Sequence, residues 1–447
     1  GLTGFGESGN GPWIYRNRTM QFLNNTSVVR GKHTLRFGGE MRRDIYAAEG
    51  NTVARGRLYY NGLLSIAPNG RAGAPNIFAD FMLGLPQRAE RALGLASASL
   101  RTIAWYGYVE DTWRVTPKLT INAGLRYELT PPWYEPNRRI MNIQMFGWDR
   151  NRIPIMTRAG SGDFNQGLEF RIADAIPTQT GDGPLGRRLI NLDRNDFAPR
   201  LGIAWSPNSK WTVRTGAGLF FTQDQGNPRF DMVRNIAGRG DFTGSDQRPN
   251  MTTEDPWRFE RQNFTCTGWS GNCVGQPFVL GNVVSRRTPY VMQWLFNLQR
   301  QVTTNLLVET GYMGNFGRRL ERLRSTNEAF TRTSLTDTRS IAERRIFPMY
   351  GIIQQVDGVN NSNYHAFNLK IQQRFNRGLT LLAGYTWSKA IDNGSGIRSS
   401  AGEQSIAAYD WDLRPERGLS QFHTAHRWVA SLIYDLPRLQ QSHPFLR

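Results

Sequence analysis

Lysine is scarce in a chain that is otherwise strongly basic. Among 447 residues there are 55 Lys+Arg and a formal net charge of +19, yet only Lys32, Lys118, Lys210, Lys370 and Lys389 are lysines. The positive charge is therefore arginine, and it is scattered. No dense basic run, RNA-binding aromatic motif or zinc pattern accompanies it, which argues against a nucleic-acid partner. No run of 18 apolar residues exists, so no transmembrane helix is expected. The opening stretch "GLTGFGESGN" has neither an initiator Met nor a signal peptide. The expectation is a chain that starts inside a longer protein or after processing. There are only two cysteines, too few for a disulfide scaffold. Mean hydropathy is low, at −0.51.

What the chain does have is aromatic residues, 12% of the total, 46 glycines and a period of two. From Leu119 to Leu129 the pattern is almost perfect. Leu119, Ile121, Ala123, Leu125, Tyr127 and Leu129 fall on one face, and Thr120, Asn122, Gly124, Arg126 and Glu128 on the other. Such alternation marks a strand with different solvents on its two faces. The unit recurs as run, tight turn, run. The turns are predicted at Arg30-Gly31-Lys32, Thr116-Pro117-Lys118, Pro207-Asn208-Ser209, Thr303-Thr304 and Asn376-Arg377-Gly378. A last arm, "HRWVASLIYDLP", begins a sixth unit. About eleven strands result, each near the 9–11 residues that cross a bilayer at a tilt.

The links between units are long. They run roughly 53 residues from Ile45 to Ser97, 67 from Pro131 to Phe197, 67 from Thr222 to Thr288, 50 from Asn315 to Tyr364 and 35 from Ala390 to Thr424. Soluble domains rarely tolerate many loops of this length. A soluble β-sandwich would also alternate its faces, and a propeller would repeat at a fixed period that is absent here. The short-long rhythm predicts an all-β, antiparallel, up-and-down transmembrane β-barrel with short periplasmic turns and long extracellular loops. Trp105, Trp113, Trp205, Trp211, Trp294 and Trp387 are placed to form interfacial girdles.

No catalytic set stands out. His423 and His426 enter a strand and lack a glutamate between them, so hydrogen bonding at a strand entrance is the better reading than a zinc protease. "GDGPLG", from Gly181 to Gly186, has no following helix or Lys for a phosphate. Asp410, Asp412 and Glu416 do not match a calcium loop and read as a solvated loop. No enzyme, cofactor or metal is expected. Cys266 and Cys273 sit in the Gly/Thr/Asn-rich stretch "TCTGWSGNC". Two free thiols or half of a metal site are alternatives, but no nearby Cys or His completes a tetrad. A local disulfide in an oxidising compartment is the reading taken.

Charge divides unevenly along the chain. The five long connections hold 33 basic and 28 acidic residues, and the remainder holds 22 and 8. Arg36, Arg42, Arg126, Arg200, Arg214, Lys370 and Arg374 fall on polar strand faces. They are expected to face the lumen. There they either draw in anionic ligands or pair with an acidic partner outside this sequence.

Six blocks now carry a resemblance. "RGKHTLRFGGEMRR", "FADFMLGLP", "YVEDTWRVTPKLTINAGLRYE", "FAPRLGIAWSP", "YHAFNLKIQQRFNRGLTLLAGYTWSKAIDN" and "HRWVASLIYDLP" resemble the barrel of TonB-dependent outer-membrane receptors, most of all the Oar-like group with a carboxypeptidase-regulatory-like domain. They span residues 19 to 437. The resemblance implies a cell outer-membrane location, and a 22-strand barrel around a plug that imports large or scarce ligands with energy from an inner-membrane complex. No TonB box, plug or closing aromatic is present, so residues 1–447 read as a barrel segment without plug, N-terminal domain or C-terminal strands. The implied partners are outer-membrane lipid, the TonB complex through the N-terminal part, and an extracellular ligand of anionic or polymeric chemistry. An adhesion or structural protein using the same loops without transport is the alternative.

Overall fold

The computed structural model describes residues 12–50, 54–65, 76–92, 96–147, 149, 151–168, 176–181, 185–237, 239–243, 251–257, 279–375, 378–397 and 407–434. Cys266 and Cys273 lie outside them, as do Asn376 and Arg377.

Five hairpins follow one another. β1 (Ile14–Arg30) and β2 (His33–Gly50) form the first. β3 (Arg57–Tyr59), helix α1 (Ile77–Met82) and β4 (Arg88–Ala92) lie in the connection after it. β5 (Ala96–Thr116) and β6 (Leu119–Leu129) form the second hairpin, and β7 (Met141–Gln144), β8 (Ile155–Arg158) and β9 (Thr178–Thr180) follow. β10 (Phe197–Asn208) and β11 (Trp211–Phe221) form the third. Its connection holds helix α2 (Gly226–Ala237), β12 (Arg239–Thr243) and β13 (Val279–Asn282). β14 (Tyr290–Thr303) and β15 (Leu306–Ser325) form the fourth, and β16 (Ile353–Arg374) and β17 (Leu379–Asp392) the fifth. β18 (Gly418–Leu419) and β19 (His426–Tyr434) end the series.

The main sheet runs β1-β2-β5-β6-β10-β11-β14-β15-β16-β17 in antiparallel order. β18 and β19 share the far edge of β17, and β13 adds a short parallel pairing beside β16. Each strand of the long path pairs with the next strand of that path along the chain, the small strands of the connections being set aside. The four described tight turns and the paired ends of β16 and β17 at Arg374 and Thr380 therefore sit on one edge of the sheet, and the strand ends that lead into the long connections sit on the other, as the short-long rhythm predicts. The path does not close on itself among the described residues.

The turns have local causes. Asn208 Oδ1 accepts from the backbone N–H of Lys210 and Trp211, and Thr303 Oγ1 accepts from that of Asn305. Gly31, at φ +58°, takes the left-handed conformation that a two-residue hairpin demands and that a Cβ would penalise.

The strands are longer than expected on the loop side. β5 has 21 residues, β15 has 20 and β16 has 22, against the 11 of β6 and of β11. The excess follows from burial. Beyond the stretch where faces alternate, these strands continue because the connections pack on them and keep their backbones paired. The connections are thus partly built domains rather than bare loops. β12-β4-β3 and β7-β8-β9 form two small sheets within them.

The register assigns every side chain to a face, because directly opposed residues share one. Starting from Arg126, which opposes Tyr108 and Ala198, one face collects the even positions of β2, β5, β6, β10, β11, β16 and β17 and the odd positions of β14 and β15. The opposite, open face is apolar. On β5 it shows Ile103, Trp105 and Val109 between Arg101 and Asp111; Trp105 is 53% exposed. Ten residues at about 3.3 Å each, tilted by about 40°, give a band of roughly 25 Å. All six tryptophans named above lie on this face. Trp113, Trp205 and Trp211 lie near the tight turns, and Trp105, Trp294 and Trp387 toward the long connections. The two groups are roughly 20 Å apart by the same arithmetic, the spacing of two interfacial girdles.

Candidate ligand-binding site at the loop-side mouth

The other face is covered at its loop-side end. Even positions of β5 from Ala96 to Tyr106 are buried without exception, whereas Tyr108 to Thr112 are not. The cover comes from the connections. Ala96, Ala98 and Leu100 pack with Trp133, Ile140, Phe230 and Val233 in one core. Phe230 and Val233 come from α2, whose apolar side rests on the sheet. A second core joins Met141, Ile143 and Met156 of the β7-β8-β9 sheet to Phe347, Tyr350 and Ile353.

Between these cores and the strand ends lies a buried ionic quartet. Arg229 enters from α2 with no exposed side chain. Its Nη2 lies 2.8 Å from Asp224 Oδ1 and also contacts Glu321 of β15. Arg286 reaches the same two carboxylates, 2.6 Å from Glu321 Oε1 and 3.1 Å from Asp224 Oδ1. Arg229 also donates to Asn282. Burial alone would raise the Asp224 carboxyl, but the two guanidiniums outweigh it and hold it below its ordinary value. Burial likewise works against the charge on Arg229, and the two carboxylates more than offset it.

Three of its members, Asp224, Arg286 and Glu321, line a cavity of about 240 Å³. Gln223 and Gln225 line it from the connection after β11, Asn360 from β16, and Ser395 from the chain after β17. Leu320, Pro289 and Ile397 add apolar surface. Three of the lining residues each hold one buried polar atom without a hydrogen-bond partner: Asp224 Oδ2, Asn360 Oδ1 and Arg286 Nε. Buried polar atoms are seldom left so.

The seven basic residues singled out in the sequence all lie on the covered face. They do not converge. Arg42 sits 2.9 Å from Asp44 and donates to Gln223 Oε1 at 2.8 Å, the one link from this set to the cavity wall. Arg126 pairs with Glu128 at 2.9 Å and Glu40 at 3.8 Å, and lies over the Tyr106 ring. Arg36 opposes Glu110 and Lys370 opposes Glu309 in the register. Arg200 lies over the Phe220 ring. Of the seven, only Arg42 and Arg126 have a carboxylate in ion-pair reach among the described residues. The positive excess on this face is therefore smaller than composition suggests.

Sequence reasoning missed the quartet. Arg229 and Glu321 are 92 residues apart, and each stands in a polar, glycine-bearing stretch that resembles any solvated loop. Asp410 is a similar correction. It is fully buried and accepts from the backbone N–H of Ser325, while only Asp412, paired with Arg414, is solvated as expected. Burial raises the Asp410 carboxyl. His423 and His426 bond to β17, through the backbone N–H of Ala390 and the hydroxyl of Tyr385.

Comparison with known proteins follows this geometry. The family described as "Outer membrane beta barrel domain" matches residues 1–447. No curated protein matches the chain. Among solved structures, the FrpB iron transporter from Neisseria meningitidis (F5-1 variant) is similar at 11% identity and a TM-score of 0.41, over 94% of this chain and 41% of that one. The outer membrane transporter YddB from Escherichia coli is similar at 11% identity and a TM-score of 0.44, over 85% of this chain and 34% of that one. The chain thus spans about two fifths or less of the length of these transporters.

Proposed function

The chain belongs to the outer membrane beta barrel domain family, and from that premise we propose that it is the wall of a TonB-dependent receptor, of Oar-like type, that captures an extracellular ligand for import. Its place is the outer membrane. The open apolar face meets lipid, and the covered face lines the lumen. The observation that carries the reading is the polar cavity at the loop-side mouth of the covered face. Its lining comes from the loop-side strand ends and the connections that join them, where a ligand arriving from outside would first bind. Arg36, Arg42, Arg126, Arg200, Arg214, Lys370 and Arg374 then form a thinly neutralised lumen lining below it. Arg36, Arg200, Arg214, Lys370 and Arg374 have no ion pair with a carboxylate among the described residues and are the ones free to steer an anion or dock an acidic plug. The chemistry is binding and passage, with no catalytic step. Cys266 and Cys273 close a short disulfide in one extracellular loop, to be read as a mass two hydrogens lower in the unreduced protein.

Sidedness and import are tested separately. Cysteines placed at Val213 and Arg214 occupy opposite faces. An aqueous thiol reagent should modify Arg214→Cys and spare Val213→Cys in intact outer membranes. Equal modification would remove the lipid and lumen assignment. Ligand uptake by cells carrying the full receptor should stop when the inner-membrane energy complex is deleted. Loop-dependent binding to cells or matrix that persists unchanged in that deletion would favour adhesion instead.

A further inference from the structure

Resting on the reading of the open face as lipid-facing, we propose that its loop-side margin holds the phosphate of a phosphorylated lipid of the outer leaflet. Register sets the side chains of β1, β2 and β5 on that face in rows. Phe22, Met41 and Trp105 form one row, at the girdle. Toward the loops the next row is Met20, Arg43 and Ile103, then Arg18, Ile45 and Arg101, then Arg16, Ala47 and Ser99. Four arginines thus stand in three consecutive rows just outside the apolar band. By the arithmetic used for the band, the row of Arg43 lies about 5 Å beyond Trp105 and that of Arg18 and Arg101 about 10 Å. The headgroups of a bilayer extend about 5–7 Å beyond its hydrocarbon on each side. These arginines therefore reach the layer that carries the phosphates.

Charge sets the chemistry. None of the four arginines has a carboxylate in ion-pair reach among the described residues, whereas Arg42 and Arg126 on the covered face do. On the loop side of the band, Glu49 is the one acid that this face of the three strands carries, one row beyond Arg16. Asp111 lies at the other margin and is paired with His33 at 2.7 Å. Arg18 and Arg101 flank Ile45, which puts their Cα atoms about 10 Å apart, and Arg43 is about 7 Å along the strand from Ile45. Extended side chains from these positions can meet on one phosphate, and a planar guanidinium can take two of its oxygens at once. Their stems meanwhile lie along the apolar rows. Arg318, at the same margin further round the sheet, is already engaged by Asn363 and the Phe316 ring. Beyond the four arginines is a cavity of about 280 Å³, lined in part by Arg16, Arg139, Ser97 and Asn137. Glu49 and Glu135 also line it and offset Arg16 and Arg139. A phosphate is therefore drawn to the band side of Arg16, and the cavity leaves room for an uncharged part of the headgroup. The acyl chains continue over Phe22, Met41 and Trp105. A lipid matches both the charged and the apolar rows, and a free phosphate matches only the first.

The experiment places the full receptor in phosphatidylcholine nanodiscs that carry a minor fraction of diphosphoryl lipid A. The protein is then moved to mild detergent, and the lipid it retains is counted by native mass spectrometry. The expected result is retention of diphosphoryl lipid A over phosphatidylcholine, undisturbed by excess inorganic phosphate. Arg16→Gln combined with Arg18→Gln should lower that retention at least tenfold, and Arg43→Gln combined with Arg101→Gln should do the same. Arg16 and Arg18 are exposed, so a folding defect in the second pair does not decide the matter. Arg300→Gln, at the turn-side margin of the same face, should leave retention unchanged. Retention no greater than that of phosphatidylcholine, retention indifferent to both arginine pairs, or displacement by inorganic phosphate overturns the proposal. Val213→Cys in the same discs separates the two failures. If it stays shielded from an aqueous thiol reagent, the face is lipid-facing and only the headgroup site is wrong. If it is labelled, the lipid-facing reading falls and the headgroup site falls with it.

Discussion

The turn-side and loop-side halves of the sheet are made from the same strands, yet they solve different physical problems. Toward the turns, a strand separates two environments, and alternation alone is enough. Toward the loops, the same strand supports a packed interior on one face. β5 shows both within 21 residues. Its even positions are buried from Ala96 to Tyr106 and open from Tyr108 onward. The turn-side half needs only local order, namely a two-residue turn and a register. The loop-side half needs residues far apart in the chain to arrive together, and it carries the buried charges.

The sharpest way to break this contrast is Arg229→Met. Removing one member of a buried ion cluster leaves Asp224 and Glu321 to share Arg286 alone, one buried negative charge in excess, at a cost of about 3–5 kcal/mol. The loss should stay in the loop-side half. Amide exchange should rise in α2, β13 and the loop-side end of β15, while the hairpins at Gly31, Lys118 and Asn305 keep their protection. If protection falls throughout the sheet at once, the two halves are one cooperative unit and the comparison fails.

A second test addresses the turn-side half. Leu125 lies on the open face of β6, and Asn122 on the covered face. Leu125→Arg should destabilise the folded protein in lipid by about 2–4 kcal/mol, the cost of a charge near the bilayer midplane. Asn122→Arg should change stability little, because it faces water. Equal costs in denaturant titrations of the two variants would contradict the assignment of faces.

How much could be read from the sequence follows the same division. Four of the turns, the strand order and the faces were legible, because period two and turn chemistry are local signals; Asn376 and Arg377 of the fifth turn lie outside the described residues. Leu119 to Leu129 needs no knowledge of the rest of the chain. The seven basic residues were legible as a face but not as a site, since a face says nothing of which carboxylates arrive opposite it. Arg126 has Glu128 two residues on along its own face, but Glu40, from another hairpin and 3.8 Å away, has no such local signal. The loop-side excess of β5, β15 and β16 was hidden because its pairing depends on the cover. In Val356 to Asn361 no strict alternation announces a strand; Val356 and Asn360 are buried there. Asp224, Arg229, Arg286 and Glu321 had no local signature at all. A polar residue in a polar stretch looks the same whether it is solvated or buried.

The smallest effect expected concerns pH and the border between the halves. Asp196 stands just before β10, is 2% exposed, and accepts a hydrogen bond from Thr288 Oγ1 at 2.7 Å. Burial pushes its carboxyl up to about 6. The Thr288 bond and Arg319 oppose that rise, and Asp193 and Glu128 reinforce it. Asp193 in turn has Arg287 at 3.9 Å, exposed and therefore a weak counterweight. The sign follows from proton binding. The folded state holds this proton at pH values where the unfolded chain has already released it. Stability should therefore fall as pH rises from about 4 to about 6, and the penalty is complete above that. A rise of about two units bounds it near 3 kcal/mol, and relaxation around a border site brings the expected value to about 1–2 kcal/mol. Asp196→Asn keeps an acceptor for Thr288 and removes the charge. It should stabilise the loop-side half at pH 8 by about that amount and do little at pH 4. Paired denaturant titrations at the two pH values measure the difference directly. An equal gain at both would mean that packing, not the buried charge, separates the variants. The border would then owe nothing to the titration of Asp196.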